Sequence, residues 1–258
     1  MNEPPEAAAP MEAIAPLVRE NQTIQRYLRQ PPTRERDAWL GETFARLSRE
    51  FGKAAAGYLF QSQWRYQEPE WFDHRLHLLD PDRYFNDFWT ASSDNVINSL
   101  PYGGSLLDLC SGDGFYDYWF YRHRASVMAV ERDRTLVEFA GMHHGHSQIM
   151  YVCADVLTWF YPHETFDCVV IRGAIEHFSA ENQQRIFQKS LNALKPGGWF
   201  CGDTPAKKED GLKALSAHEC EWRDEAEMRE ALGHTFSDIE TRTLISQERT
   251  TLLWRCRK

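Results

Sequence analysis

The chain predicts a doubly wound α/β domain on a mostly parallel sheet, preceded by a helical N-terminal cap. Three observations predict it. An apolar run, residues 105–109, carries an acid at Asp108 and opens into the loop Cys110-Ser111-Gly112-Asp113-Gly114. Two further apolar runs each end in an acid, at Glu131 and at Asp155. A fourth run, residues 166–171, is apolar almost without interruption, as in a central strand covered on both faces.

Taken in order, residues 1–10 are rich in Pro and Ala and read as a disordered tail. Residues 11–91 form the cap. One helix is expected over 11–30, ended by Pro31-Pro32. A longer helix over 34–58 follows, with Trp39, Phe44, Leu47 and Phe51 at helical spacing and Gly57 weakening its end. Residues 60–90 are crowded with aromatic side chains. The plain expectation is packing of the cap; the sharper one is a lid, with Tyr66, Trp71, His74 and Arg75 as its contacts.

Residues 92–258 carry the sheet. Strand one runs into the glycine loop, and a helix is expected past Gly114. Gly112 and Gly114 allow backbone to approach a ligand where a Cβ would collide. The third glycine of the dinucleotide fingerprint is absent, because that position is Asp117. A second anion suits a pyrophosphate badly and suits a cofactor bearing a nucleoside and an ammonium group. Strand two, residues 126–131, ends at Glu131, whose carboxylate can accept both hydroxyls of a ribose. Strand three ends at Asp155 and strand four is 166–171. The turn Lys195-Pro196-Gly197-Gly198 precedes strand five, a short helix is expected over 225–232, and 238–246 with 249–257 alternate like a hairpin.

Composition bounds the function. The 258 residues carry a net charge of −9, which disfavours bulk nucleic acid as a partner. The six cysteines show no Cys-x-x-Cys pair and read as reduced thiols of a cytoplasmic protein. No run approaches a membrane span of ~20 apolar residues, and no basic-then-apolar signal sequence opens the chain. His143, His144 and His146 fall in an expected loop and read as solvent-exposed.

The loop and the acids at its downstream distances resemble the class I S-adenosylmethionine (SAM) dependent methyltransferases over residues 92–258. Their first motif is acid-x-Gly-x-Gly-x-Gly; here Cys110 replaces the first glycine. The resemblance implies a seven-stranded Rossmann-like sheet closed by the C-terminal hairpin. It also implies SAM as cofactor, held by Asp108, Cys110, Gly112, Gly114, Glu131, Arg132, Asp155, Val156 and Arg172. Asp155 would accept the adenine amino group, with Val156 against the ring.

Acceptor chemistry falls to the segments after strands four and five. The first contains Glu176-His177, and histidine is the natural base near neutral pH. The second contains His218-Glu219-Cys220-Glu221-Trp222. Together Glu176, His177 and His218 make a two-histidine, one-carboxylate set suited to a divalent metal. The pattern looks partly like the metal-dependent small-RNA 2′-O-methyltransferases, but Gly173 stands where those have their first glutamate. Either histidine can equally be structural. The expectation is O-methylation of a small hydroxylated acceptor, such as a sugar, glycan or secondary metabolite, with His177 and His218 catalytic. The alternatives are N-methylation of a small amine, or a nicotinamide oxidoreductase on a similar sheet.

Overall fold

The computed structural model describes residues 21–64, 73–84, 87–208, 210–245 and 250–258. The chain divides into two compact units, Met1–Asn86 and Asp87–Lys258.

In the first unit, residues 21–28 are helical and α1 spans Arg34–Trp64. Thr33 caps α1 by accepting the Arg36 N–H at 3.1 Å, with Glu35 and Asp37 in the first turn. Gly57 does not end the helix, which runs six residues past Tyr58. A single glycine costs only about 1 kcal/mol, and the turns on either side hold it. The buried stripe is Leu40, Thr43, Leu47 and Ala56, whereas Phe44 and Phe51 are about half exposed. Of the four expected positions Leu47 is buried and Trp39 half-buried, and Leu40 and Thr43 take the places expected for larger aromatics. Two short helices, α2 (Arg75–Leu79) and α3 (Pro81–Tyr84), follow.

The second unit opens with α4 (Asp87–Ile97) and continues with β1 (Gly104–Leu109), β2 (Ala125–Glu131), α5 (Arg134–His143), β3 (Ile149–Cys153), β4 (Phe166–Arg172), α6 (Ala180–Ala193), β5 (Leu194–Pro205), α7 (Glu225–Gly233), β6 (Ser237–Ile245) and β7 (Thr250–Arg257). The sheet order is β3-β2-β1-β4-β5-β7-β6, with only the last two pairings antiparallel. This is the expected seven-stranded doubly wound sheet. The order reverses between β1 and β4, so a crevice lies beyond the carboxyl ends of those strands.

Alternation along each strand builds a core on both faces. Leu107, Leu109, Val169 and Ile171 join one apolar cluster with Ile186 and Phe187 of α6. Leu106, Cys168, Val170 and Cys201 join the other, with Val96 of α4. By the same period of two, Asp108, Arg172 and Asp203 share the second face at the carboxyl ends of three adjacent strands.

Past Gly114 the expected helix is short and wide. Residues 115–121 are helical, and Asp117–Tyr121 is a π turn in which the Arg122 N–H reaches the Asp117 carbonyl at 2.9 Å.

Candidate active site

The glycine loop leaves β1 with three left-handed residues, Cys110 (φ 59°), Gly112 (φ 58°) and Gly114 (φ 71°). Cys110 therefore takes the conformation that the resembled motif gives to a glycine, at a cost of about 1–2 kcal/mol for an L-residue. A Cβ on Gly112 would meet nothing within 4 Å, so the loop leaves open space there, as a cradle for a ligand requires. A Cβ on Gly114 would lie 2.4 Å from the Tyr151 Oη.

The loop is braced from behind. The His144 Nδ1 lies 2.7 Å from the Asp113 carbonyl, and the Tyr151 hydroxyl donates to the His144 carbonyl at 3.1 Å. The expectation of a solvent-exposed histidine loop is corrected here: His144 is 3% exposed, while His143 and His146 are exposed. Adjacent histidines on a helix end point in different directions, and only one faces the loop.

Glu131 closes the front. Its Oε2 accepts the Gly112 N–H at 3.2 Å and its Oε1 accepts the Asp133 N–H at 2.9 Å. Each oxygen keeps a lone pair, so ribose hydroxyls can still donate to it. Arg132 beside it is exposed. Asp155 is exposed and its Oδ1 accepts the Leu157 N–H at 2.8 Å, leaving Oδ2 for an adenine amino group; Val156 is buried. Sequence reasoning missed Lys189 of α6. Its ammonium donates to the carbonyls of Val156, Leu157 and Trp159 at 2.7, 2.9 and 2.7 Å and so fixes this loop. A lone lysine in an amphipathic helix gives no signal of such a role.

Arg172 turns into the second face of the sheet. Its Nε donates to Asp203 at 3.0 Å, it donates to the Tyr121 hydroxyl at 3.3 Å, and it stacks 3.4 Å over the Tyr116 ring. Ser92 of α4 donates to the same Asp203 carboxylate.

On the acceptor side, a 3-10 turn, Ile175–His177, follows β4. Its Glu176 carbonyl accepts the N–H groups of Glu219 and Cys220 at 2.8 and 3.0 Å. These bonds bring the segment after β5 against the turn, and the predicted set assembles. Ligand atoms of Glu176, His177 and His218 all lie within 4.8 Å of one another, the one such group of metal-ligating side chains among the described residues. The two imidazoles meet edge-on with centroids 4.7 Å apart. His218 Nδ1 is hydrogen-bonded to Glu221, whose carboxylate also accepts the Ala214 N–H. That bond leaves His218 Nε2 facing Glu176 at 3.9 Å. Glu176 in turn accepts the Thr204 hydroxyl at 2.9 Å through Oε2.

Two imidazole nitrogens and one carboxylate oxygen, with an outer carboxylate orienting one imidazole, fit a divalent ion. Gly173, at the position of the missing glutamate, is left-handed (φ 50°) and donates its N–H to the Asp203 carbonyl at 2.9 Å. Trp222 is buried beside Phe187 and Trp254, so the aromatic end of that motif belongs to the core. His177 alone of the three is exposed; burial of its ring and the charge of His218 hold it below the ordinary histidine range. Of the cap residues, Tyr66 and Trp71 lie outside the described residues, and Arg75 pairs with Asp73 at 2.9 Å.

A glycine cradle at the strand-order reversal, with Glu131 ending β2 and Asp155 two residues past β3, is the arrangement that the resemblance to class I SAM-dependent methyltransferases implies. Residues 107–202 match the methyltransferase-domain family, and the seven-stranded order agrees with that match. It is 41% identical over 108 residues to phosphoethanolamine N-methyltransferase of Plasmodium falciparum (isolate 3D7), covering 41% of this chain and 40% of that one. It is 27% identical over 127 residues to ubiquinone biosynthesis O-methyltransferase of Coxiella burnetii (strain Dugway 5J108-111), covering 48% and 49%. The chain thus spans less than half of the length of these curated relatives. A solved SAM-dependent methyltransferase from Mesorhizobium loti shares the fold with a TM-score of 0.53 and 18% identity, over 66% of this chain and 99% of that one. Phosphoethanolamine N-methyltransferase 2 of Haemonchus contortus, solved with phosphomonomethylethanolamine and S-adenosylhomocysteine, gives 0.55 and 15%, over 66% and 52%.

The Glu131 assignment predicts a measurable loss. Glu131→Ala removes a charged acceptor of two ribose hydroxyls and should weaken SAM binding by roughly 2 kcal/mol, about thirtyfold. Calorimetry on the folded variant checks it; unchanged affinity would remove Glu131 from the cofactor site.

Proposed function

We propose that this chain transfers a methyl group from SAM to a hydroxyl of a small acceptor such as a sugar, glycan or secondary metabolite. The observation that carries this reading is the convergence of His177 and His218 beside Glu176, at strand ends next to the cofactor loop. SAM, when bound, supplies an electrophilic methyl on a sulfonium leaving group. The chain's own residues then have two tasks: to align the acceptor and to take its proton. His177 is exposed and neutral at pH 7, so its free nitrogen can accept that proton. His218, held by Glu221, sits close enough to orient the same acceptor. A divalent ion held by Glu176, His177 and His218 would acidify the hydroxyl instead.

The acidic balance of the chain supports a small molecule rather than bulk nucleic acid as partner. All six cysteines are free, in keeping with a reducing, cytoplasmic setting, and among the described residues no helix is long and apolar enough to cross a membrane. N-methylation of a small amine is the second reading, favoured by the 41% identity to an N-methyltransferase over 108 residues.

Turnover with methyl-labelled SAM against hydroxylated and amine acceptors tests the proposal. Labelled ether products are expected. Loss of activity in EDTA, restored by a divalent ion, assigns the three side chains as ligands. Activity indifferent to EDTA assigns His177 as the base. Labelled amines alone would overturn the hydroxyl reading.

A further inference from the structure

Glu221 is 1% exposed, and a carboxylate so buried must be matched by donors. Ala214 gives its N–H to both oxygens, at 2.9 and 2.8 Å, and Leu215 gives its N–H at 3.5 Å. The side-chain partner is His218 Nδ1. The main chain on either side of Glu221 is tied down. The Cys220 N–H donates to the Glu176 carbonyl at 3.0 Å, and the Cys220 carbonyl accepts from Gln183 at 2.9 Å. The Trp222 carbonyl accepts the Lys207 N–H at 2.9 Å, and its ring packs beside Phe187 and Trp254. His218 is held too, because the Lys213 ammonium donates to its carbonyl.

A carboxylate only accepts hydrogen bonds, so the proton of the Glu221–His218 contact belongs to Nδ1. A neutral imidazole has one ring proton, and Nε2 is then a lone pair. Its surroundings agree. Nε2 faces Glu176 Oε1, another acceptor, at 3.9 Å, beyond hydrogen-bonding range. The other Glu176 oxygen takes the Thr204 hydroxyl at 2.9 Å. Two acceptors thus face one gap beside the His177 ring, whose centroid is 4.7 Å from that of His218. The opposite tautomer would set the Nδ1 lone pair against a buried carboxylate.

We infer that Glu221 is a positioning residue of the acceptor site: it fixes His218 in the tautomer protonated on Nδ1, so that Nε2 meets the acceptor as a bare lone pair. The inference rests on the reading of His218 as an acceptor-side residue and deepens it. A bare Nε2 accepts a hydrogen bond from an incoming hydroxyl, or holds a cation, and a protonated Nε2 does neither. Because the same carboxylate binds the main chain at Ala214, the fold of this loop and the tautomer of the imidazole are set together.

The test is nuclear magnetic resonance on the full chain with 15N-labelled histidine, in which two-bond proton–nitrogen correlations separate a protonated ring nitrogen from a bare one. The His218 signals are those that His218→Asn removes. The unaltered chain is expected to show Nδ1 protonated and Nε2 bare. Glu221→Met, of similar size but without an acceptor, should lose that preference and slow turnover by about 10- to 100-fold on a hydroxylated acceptor that the unaltered chain methylates, with S-adenosylhomocysteine bound as before. Glu221→Gln keeps one acceptor oxygen and should restore part of both. A proton on Nε2 in the unaltered chain would overturn the inference, and this measurement stands even if Glu221→Met fails to fold. An unchanged tautomer in folded Glu221→Met would overturn it as well. A tautomer that changes while turnover does not would instead overturn the acceptor-side reading of His218.

Discussion

His177→Ala is expected to slow turnover on the true acceptor by about 10²- to 10⁴-fold, the usual contribution of a general base, while SAM binds nearly as before. His177 is the cleaner probe of the acceptor side because it is exposed, whereas Glu176 and His218 beside it are buried. The unaltered enzyme should lose kcat/KM as pH falls through the His177 pKa. That limb lies below 6.5, because ring burial and the charge of His218 both disfavour the imidazolium. Activity is therefore present above the limb and lost beneath it, and His177→Ala should abolish the limb. His218→Ala should slow turnover too, but it also strips the buried Glu221 of a hydrogen-bonding partner and the buried Glu176 of the imidazole 3.9 Å away. Leaving buried charges uncompensated costs about 3–5 kcal/mol, so a melting curve must accompany that variant. Near-normal turnover in His177→Ala, with the acid limb intact, would leave alignment alone as the source of catalysis.

Gly114→Ala is expected to damage the cofactor loop more than Gly112→Ala does. Both residues are left-handed, so each alanine bears about 1–2 kcal/mol of backbone strain. Only at Gly114 does the new Cβ also strike a ring, 2.4 Å from the Tyr151 Oη and 2.7 Å from Cε1. Tyr151 cannot retreat without losing its bond to the His144 carbonyl, which helps to brace the loop. Overpacking of this kind adds about 1–3 kcal/mol. Thermal melts should show Gly114→Ala as the less stable variant by that margin. Gly112→Ala tests the cradle instead: a modest loss of stability with a large loss of SAM affinity means that the ligand occupies the open space. Equal, small losses of both in the two variants would contradict the loop geometry.

The parts legible in the sequence were those written in contiguous residues. The strand runs that carry Asp108 and Glu131 or lead to Asp155, and the apolar run from Phe166, each show their own period, and their ends fall within two residues of those acids. The Glu176-His177 and His218–Glu221 segments were legible as motifs, and their meeting follows from the β4–β5 pairing. What was illegible depends on contacts between distant residues. The π turn turns Asp117 inward, where a sequence position three past Gly114 reads only as a missing glycine. The contacts of Arg172, whose cofactor role the resemblance implies, are with Asp203 and Tyr121, 31 and 51 residues away in sequence. Lys189 and His144 act through backbone carbonyls, which every residue has and no motif marks. In α1, burial selects Leu40 and Leu47 over Phe44 and Phe51, a choice that hydrophobicity alone does not make.

The central claim is that one cofactor site and one acceptor site meet across the crevice between β1 and β4. A crystal structure of the chain with S-adenosylhomocysteine tests it most directly. The account predicts ribose hydroxyls on the Glu131 carboxylate, the ammonium at Asp108 and the cofactor sulfur facing the gap between His177 and His218. Cofactor bound elsewhere, or with its sulfur turned away from both histidines, would contradict it.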